Sequence, residues 1–284
     1  MTHVPIQTLD AIIDQYDAFI IDLWGVIHDG QALYPGVLDT LRQLQVSGKQ
    51  ALFLSNAPRR AHRAKELLDT LGVPVELYKH IVTSGEVAHH YVQHHPVFSQ
   101  SPHYYIGPDR DRGMFDDLAS SETHDPAEAS FMLVTGYDHD DSLADEKNPQ
   151  LKAALKHGLP LLCANPDLVI VRHSGKQALC AGVIAQSYES MGGQVEYFGK
   201  PFKQVYQRCF DILNVSPQKI AAIGDSLSHD IRGANNVGVD SYLVLQGIHG
   251  NELGFTHGRP VDKMLFEHVC KSHHGYPTGV LERF

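Results

Sequence analysis

Ala18-Phe19-Ile20-Ile21-Asp22-Leu23-Trp24-Gly25-Val26-Ile27-His28-Asp29-Gly30 carries the pattern that most constrains the architecture of the chain. An apolar run leads into a lone carboxylate, Asp22, and the chain breaks shortly afterwards at Gly25. A continuous apolar run of strand length suits a parallel strand covered on both faces. In open α/β sheets the ligand crevice lies just beyond the carboxyl ends of such strands. Asp22 is therefore read as a side chain delivered to that edge. The alternative is an aspartate that merely caps the next turn.

Working outward, Tyr34-Pro35-Gly36 marks a turn, and Val37, Leu38, Leu41 and Leu44 recur at helical spacing until Gly48. Gln50-Ala51-Leu52-Phe53-Leu54 reads as a second strand ending in the polar pair Ser55-Asn56. A basic helix follows over 59–71, closed by Gly72. This strand, helix, strand, helix rhythm predicts an α/β fold built on a doubly wound, Rossmann-like parallel sheet. From about residue 84 a second α/β unit begins. It comprises a histidine-rich helix over 85–95, strands at 104–106, 131–135 and 161–164, and helices over 142–157 and 181–191. The expectation is an inserted domain at 84–193 within a discontinuous core of 1–83 and 194–284. The core is expected to resume with a strand at 195–198, then Gly199-Lys200-Pro201, a helix over 203–213 and a strand at 220–223. Gly224-Asp225-Ser226, a helix over 230–236, a strand at 241–245 and a polar tail complete it.

A chain of 284 residues accommodates one large domain or two. With 43% hydrophobic and 20% charged residues it reads as an ordinary soluble protein. The net charge of −10 argues against nucleic acid as a partner, because such binding needs cations to neutralise phosphates. A small phosphate ester needs only one local cluster of cations and amides. The amino end carries no signal-peptide pattern, and no window reaches the roughly 18 apolar residues of a membrane span, so no membrane partner is expected. Cys163, Cys180, Cys209 and Cys270 lack zinc-site spacing and read as reduced thiols of a cytoplasmic protein. The doublets His89-His90, His94-His95 and His273-His274 show no ligand pattern and read as surface or helix-end histidines. The oligomeric state is left open, a homo-oligomer included.

Strand ends thus present Asp22, Ser55, Lys200 and Asp225, which a doubly wound sheet sets side by side. Two carboxylates suit a hard cation such as Mg²⁺, and a lysine with a hydroxyl and loop amides suits phosphate oxygens. Together they describe a phosphoryl-transfer site for a small phosphorylated metabolite.

The order of Asp22-Leu23-Trp24-Gly25-Val26, Leu54-Ser55-Asn56, Gly199-Lys200-Pro201 and the run from Gly224-Asp225-Ser226 to Asp230-Ile231-Arg232-Gly233-Ala234 resembles the haloacid dehalogenase (HAD) superfamily. Ala164-Asn165-Pro166-Asp167 within the insertion is similar to its NagD-like phosphatase branch, subfamily IIA. The resemblance spans residues 18–246. It implies a HAD core with an inserted α/β cap of C2 type. It further implies that Asp22 attacks phosphorus to form an aspartyl phosphate and that Lys200 neutralises charge beside it. Ser55 and Asn56, with Lys200, would grip the phosphoryl group. Asp22, the main-chain oxygen of Trp24 and Asp225 would hold Mg²⁺, with Asp230 joining them or orienting Lys200 or a metal-bound water. Asp230 has a second reading, as a helix N-cap.

One position departs from the family pattern. The residue two after the nucleophile is normally a second aspartate, which protonates the leaving oxygen and then activates water; here it is Trp24. An indole donates one hydrogen bond but cannot shuttle a proton near neutral pH. General acid-base assistance is worth about 10²- to 10⁴-fold, so slow turnover is expected. His28 is the nearest substitute acid, and its alternative is a solvent-facing turn residue. The acidic loop of Asp138, His139, Asp140 and Asp141 reads as a solvated loop or a group reaching the crevice. The basic run Arg59, Arg60, His62, Arg63 and Lys65 reads as an exposed face or a steering patch for anions. The leading expectation is hydrolysis of a phosphate monoester of sugar-phosphate or nitrophenyl-phosphate type. Its rivals are a phosphate-ligand binding or regulatory protein, and phosphoryl transfer to an acceptor other than water.

Overall fold

The computed structural model describes residues 3–171, 176–257 and 259–284. They form two compact units, one of residues 1–55, 65–82 and 200–284, the other of residues 56–64 and 83–199.

The first unit is built on a seven-stranded sheet in the order Ile6–Gln7, Gly279–Leu281, Asp240–Val244, Ile220–Gly224, Ala18–Asp22, Gln50–Ser55, His80–Thr83. Ala18–Asp22 is central and buried at every residue, which is why it reads as an unbroken apolar run and not as an alternation. It runs parallel to Ile220–Gly224 on one side and Gln50–Ser55 on the other. The register pairs Ile21 with Ile223 and Asp22 with Leu54. Asp22, Ser55 and Asp225 therefore end on one edge. The helix Lys203–Leu213 packs Val205, Tyr206, Cys209 and Leu213 inward at helical spacing, and Asn214 stops it in the left-handed conformation at φ 51°.

The second unit carries a five-stranded sheet in the order Val195–Tyr197, Leu161–Cys163, Phe131–Val134, His103–Ile106, Glu122–Thr123, paired in parallel throughout. The strand Phe131–Val134 shows why both faces are covered. Met132 and Val134 enter a core with Leu151, Ala154, Ile184 and Tyr188, while Phe131 and Leu133 enter another with Ala88 and Val92. Period-two alternation thus feeds helices on both sides of the sheet. Each such buried side chain contributes about 1.5–3 kcal/mol.

Several expectations need correction. Val195–Tyr197 does not resume the first unit: it pairs with Leu161–Cys163 and completes the second sheet, and the first unit returns at Lys200 and not at 194. A strand of three half-buried residues gives no sequence clue to which sheet it joins. The carboxyl-terminal stretch is not a plain polar tail. It forms the helix Lys263–His273, capped by the Asp262 side chain, and the strand Gly279–Leu281 pairs with Asp240–Val244. The helix expected over 142–157 is Asn148–Lys156, begun by Pro149 in its first turn, where a missing N–H costs nothing. Among the described residues no helix is long and apolar enough to cross a membrane. All four cysteines are buried.

His103 shows what burial does to a titrating group. The Ser120 hydroxyl donates to Ser101 O at 2.6 Å, so its oxygen accepts from His103 Nδ1 at 2.7 Å. Nε2 is buried without a partner among the described residues, and the ring stacks on Phe115 at 4.4 Å. Burial pushes the imidazole down to about 4. Below pH 6.5 the unfolded chain takes up the proton first, so stability is full above 6.5 and falls as pH drops towards 4. Denaturant unfolding at pH 7.5 and 4.5 should show a fall that His103→Asn reduces by about 2.5 kcal/mol. An equal fall in both proteins would contradict this.

Candidate active site

At the carboxyl edge of the first unit, Asp22, Lys200, Asp225 and Asp230 come together, each less than a tenth exposed. Lys200 Nζ donates to Asp22 Oδ1, to Asp230 Oδ1 at 2.7 Å and to Leu54 O at 3.2 Å. The three carboxyl groups offer oxygens that all lie within 4.8 Å of one another. Lys200 follows Gly199 across the chain's return, and its bond to Pro201 is cis.

Asp230 sits in a single π-helical turn, Leu227–Ile231, and not at a helix start. The N-cap is Ser226, whose side chain accepts from His229 N. Asp230 Oδ2 accepts from Ser226 N at 3.1 Å, and its main-chain oxygen accepts from the Tyr206 hydroxyl at 3.1 Å. With one oxygen on Ser226 and the other on Lys200, the carboxylate fixes the ammonium in place. Asp225 Oδ2 accepts from Ile248 N at 3.0 Å. Backbone closes on Asp225 from two sides: a Cβ on Gly25 would lie 2.1 Å from Asp225 Oδ2, and one on Gly247 would lie 2.0 Å from its Cβ. Gly25 is also at φ 91°, so glycine is required there on both counts.

The electrostatics follow from burying three acids with one ammonium. Burial raises Asp22 well above the ordinary carboxylate range, Lys200 pulls it back, and Asp230 and Asp225 add to the rise. Burial and then Asp230 push Asp225 up to about 7. Burial alone would lower Lys200, but Asp22 and Asp230 outweigh it and hold the ammonium protonated well above its usual range. Fully ionised, the cluster carries two uncompensated negative charges in a buried space, an arrangement that a divalent hard cation neutralises. The donor set fits Mg²⁺: Asp22 and Asp225, with Asp230 in reach, all supply oxygen.

Ser55 ends its strand one residue beyond Leu54, the partner of Asp22, and is buried. Asn56 opens the second unit, where its amide donates to Asp167 Oδ1 at 2.7 Å. Trp24 is 37% exposed, and its ring lies against Gly30, whose added Cβ would fall 2.6 Å from it. His28 does not face solvent. It is 3% exposed, its Nδ1 accepts from Gly30 N at 3.0 Å, and burial lowers it to about 4. A neutral, acceptor-bound imidazole is a loop fixture and not a proton donor at neutral pH. In the second unit Arg59 pairs with Asp111 at 2.7 Å, and Arg60 pairs with Glu86 at 2.9 Å, so these guanidiniums are spent on structure. Asp138 likewise pairs with Lys147.

Sequence reasoning missed Ser226, Ile248 and Tyr34. The first two act through main-chain N–H groups, which leave no residue signature; Gly247, just past a strand end, was the available clue. Burial raises Tyr34, and Asp225, Asp29 and Asp22 add to it, which puts the phenol within electrostatic range of the acids.

Comparison with known proteins agrees with this geometry. A model described as haloacid dehalogenase-like hydrolase matches residues 19–119, and one described as HAD-hydrolase-like matches residues 197–265. The chain is 27% identical over 234 residues to the sugar-phosphatase AraL of Bacillus subtilis, covering 80% of this chain and 82% of that protein. A haloacid dehalogenase-like hydrolase from Brucella suis superposes with a TM-score of 0.83 at 26% identity, over 99% of this chain and 100% of the other. A 4-nitrophenylphosphatase from Thermotoga maritima gives 0.69 at 26% identity, over 92% and 98%. With both motif-bearing segments of the first unit matched in order and the fold shared along the whole chain, the protein belongs to the haloacid dehalogenase-like hydrolases.

Proposed function

We propose that the chain is a Mg²⁺-dependent phosphatase of small phosphate monoesters, of sugar-phosphate or nitrophenyl-phosphate type, working through an aspartyl phosphate on Asp22. The observation that carries this reading is the Lys200 ammonium held between Asp22 and Asp230, with Asp225 beside them. The named activities of the sugar-phosphatase AraL and of the Thermotoga 4-nitrophenylphosphatase support the substrate class.

In this reading a carboxylate oxygen of Asp22 attacks phosphorus while the bond to the leaving oxygen breaks. Lys200 and Ser55 hold the transferring phosphoryl oxygens, and Asp230 keeps Lys200 aimed. Asp22, Asp225 and the main-chain oxygen of Trp24 would hold Mg²⁺, which when bound supplies charge to offset that of the phosphoryl group. Turnover of p-nitrophenyl phosphate and a panel of sugar phosphates, with and without Mg²⁺, tests the proposal. Metal-dependent hydrolysis is expected, and hydrolysis unaffected by chelator would refute it.

A second reading rests on Trp24. An exposed indole stands where the family has a proton-shuttling carboxylate, which suits a protein that binds phosphate ligands and turns them over poorly. Thermal stabilisation by members of the panel without hydrolysis of any would favour it. Under the first reading Trp24→Asp should raise turnover of alkyl phosphates by about 10²-fold, and that of p-nitrophenyl phosphate, whose leaving group needs no proton, by much less. Equal or lower rates on both would show that the site is built around the indole.

A further inference from the structure

A second cluster of metal-ligating side chains lies in the first unit. His249, Glu252 and His273 each present a ligand atom within 4.8 Å of the others. His249 Nδ1 is 2.9 Å from Glu252 Oε2, and His273 Nε2 is 3.1 Å from the same oxygen. The two rings meet edge to face at 4.4 Å. His249 and Glu252 lie on the turn beyond the strand Asp240–Val244, and His273 is the last residue of the helix Lys263–His273. No spacing rule in the sequence joins them, which is why His273 reads there as a mere helix-end residue.

Ligands held tetrahedrally at the roughly 2.0–2.2 Å typical of zinc are about 3.4 Å apart. The two observed separations lie within about half an ångström of that. One outer contact also suits a metal centre. Ser228 Oγ lies 3.0 Å from His273 Nδ1, which fixes the ring with Nε2 towards Glu252. His249 is 6% exposed, and its Nε2 is buried without a hydrogen-bond partner among the described residues. Glu252 and His273 remain partly exposed and give an ion a way in.

We propose that His249, Glu252 and His273 bind a transition-metal cation of the Zn²⁺ class, with a fourth position left to solvent. Two imidazoles and one carboxylate suit such an ion, whereas Mg²⁺ prefers an all-oxygen shell. The site ties together segments that also serve the acidic cluster: Ile248, next to His249, donates to Asp225, and Ser228 shares its turn with Asp230. An ion held there would fix the loop that positions Asp225.

The test is Co²⁺ titration of the full chain with excess Mg²⁺ present to occupy the acidic cluster. One equivalent should bind with the intense visible bands of a tetrahedral ion, and both His273→Ala and Glu252→Gln should abolish those bands. Zn²⁺ at a hundredfold excess over its Kd should raise the melting temperature of the unsubstituted protein by about 5–10 °C and that of the variants not at all. X-ray absorption on the unsubstituted Zn²⁺-loaded protein does not depend on how the variants fold, and it should show two imidazoles with oxygen. Failure to bind Co²⁺ under Mg²⁺, binding unchanged in the variants, or a shell with no imidazole or with sulfur would each overturn the site.

Discussion

Asp22→Asn is expected to lower turnover of p-nitrophenyl phosphate by at least about 10³-fold, because a neutral amide oxygen cannot replace a carboxylate as nucleophile. The same change should not weaken the fold. Burial, with Asp230 and Asp225, raises Asp22 well above its unfolded range, so its ionised form is destabilising and the penalty grows as pH rises. Asparagine removes that charge and keeps an oxygen for Lys200. The metal-free variant should therefore melt at or above the temperature of the parent protein at pH 8. Retained turnover would remove Asp22 from the chemistry, and a collapse in melting temperature would mean that its role is structural.

Lys200→Met should be damaging in both respects. It leaves Asp22 and Asp230 buried without their shared cation, and removing one partner of a buried ion pair costs about 3–5 kcal/mol. It also deletes a preorganised charge from the proposed phosphoryl site, worth about 10²- to 10³-fold in kcat. Steady-state kinetics with Mg²⁺ and denaturant unfolding without it measure the two losses separately. Activity within a few-fold of the parent, or unchanged stability, would show that the ammonium is not what holds these acids together.

The parts of the site that were legible in the sequence are those where a side chain is the signal. The apolar run into Asp22 reported both a central buried strand and its polar end. Asp225 was legible for a similar reason, as a charge just past the strand Ile220–Gly224, whereas Lys200 was reached by reading 195–198 as a strand of the same sheet, and Val195–Tyr197 belongs to the second unit. What escaped works through the backbone or through late neighbours. The N–H groups of Ser226 and Ile248, which grip Asp230 and Asp225, belong to no residue type. The strand Gly279–Leu281 has three residues and a glycine, too little pattern to mark it as part of a seven-stranded sheet. His28 read as a substitute acid or as a solvent-facing turn residue beside Asp29-Gly30, and only the fold of the loop buries it.

In the proposed mechanism the missing acid at position 24 should also set the kinetics. With p-nitrophenyl phosphate the first step needs no proton donor, while hydrolysis of the aspartyl phosphate lacks the base that would activate water. The covalent form should therefore accumulate. A rapid acid quench of the Mg²⁺-loaded protein with phosphate-labelled p-nitrophenyl phosphate tests this, with the label mapped by peptide sequencing. A burst of nitrophenol close to one equivalent of enzyme is expected, with the label on Asp22. Release of nitrophenol from a chain that carries no label, or label on another side chain, would contradict it.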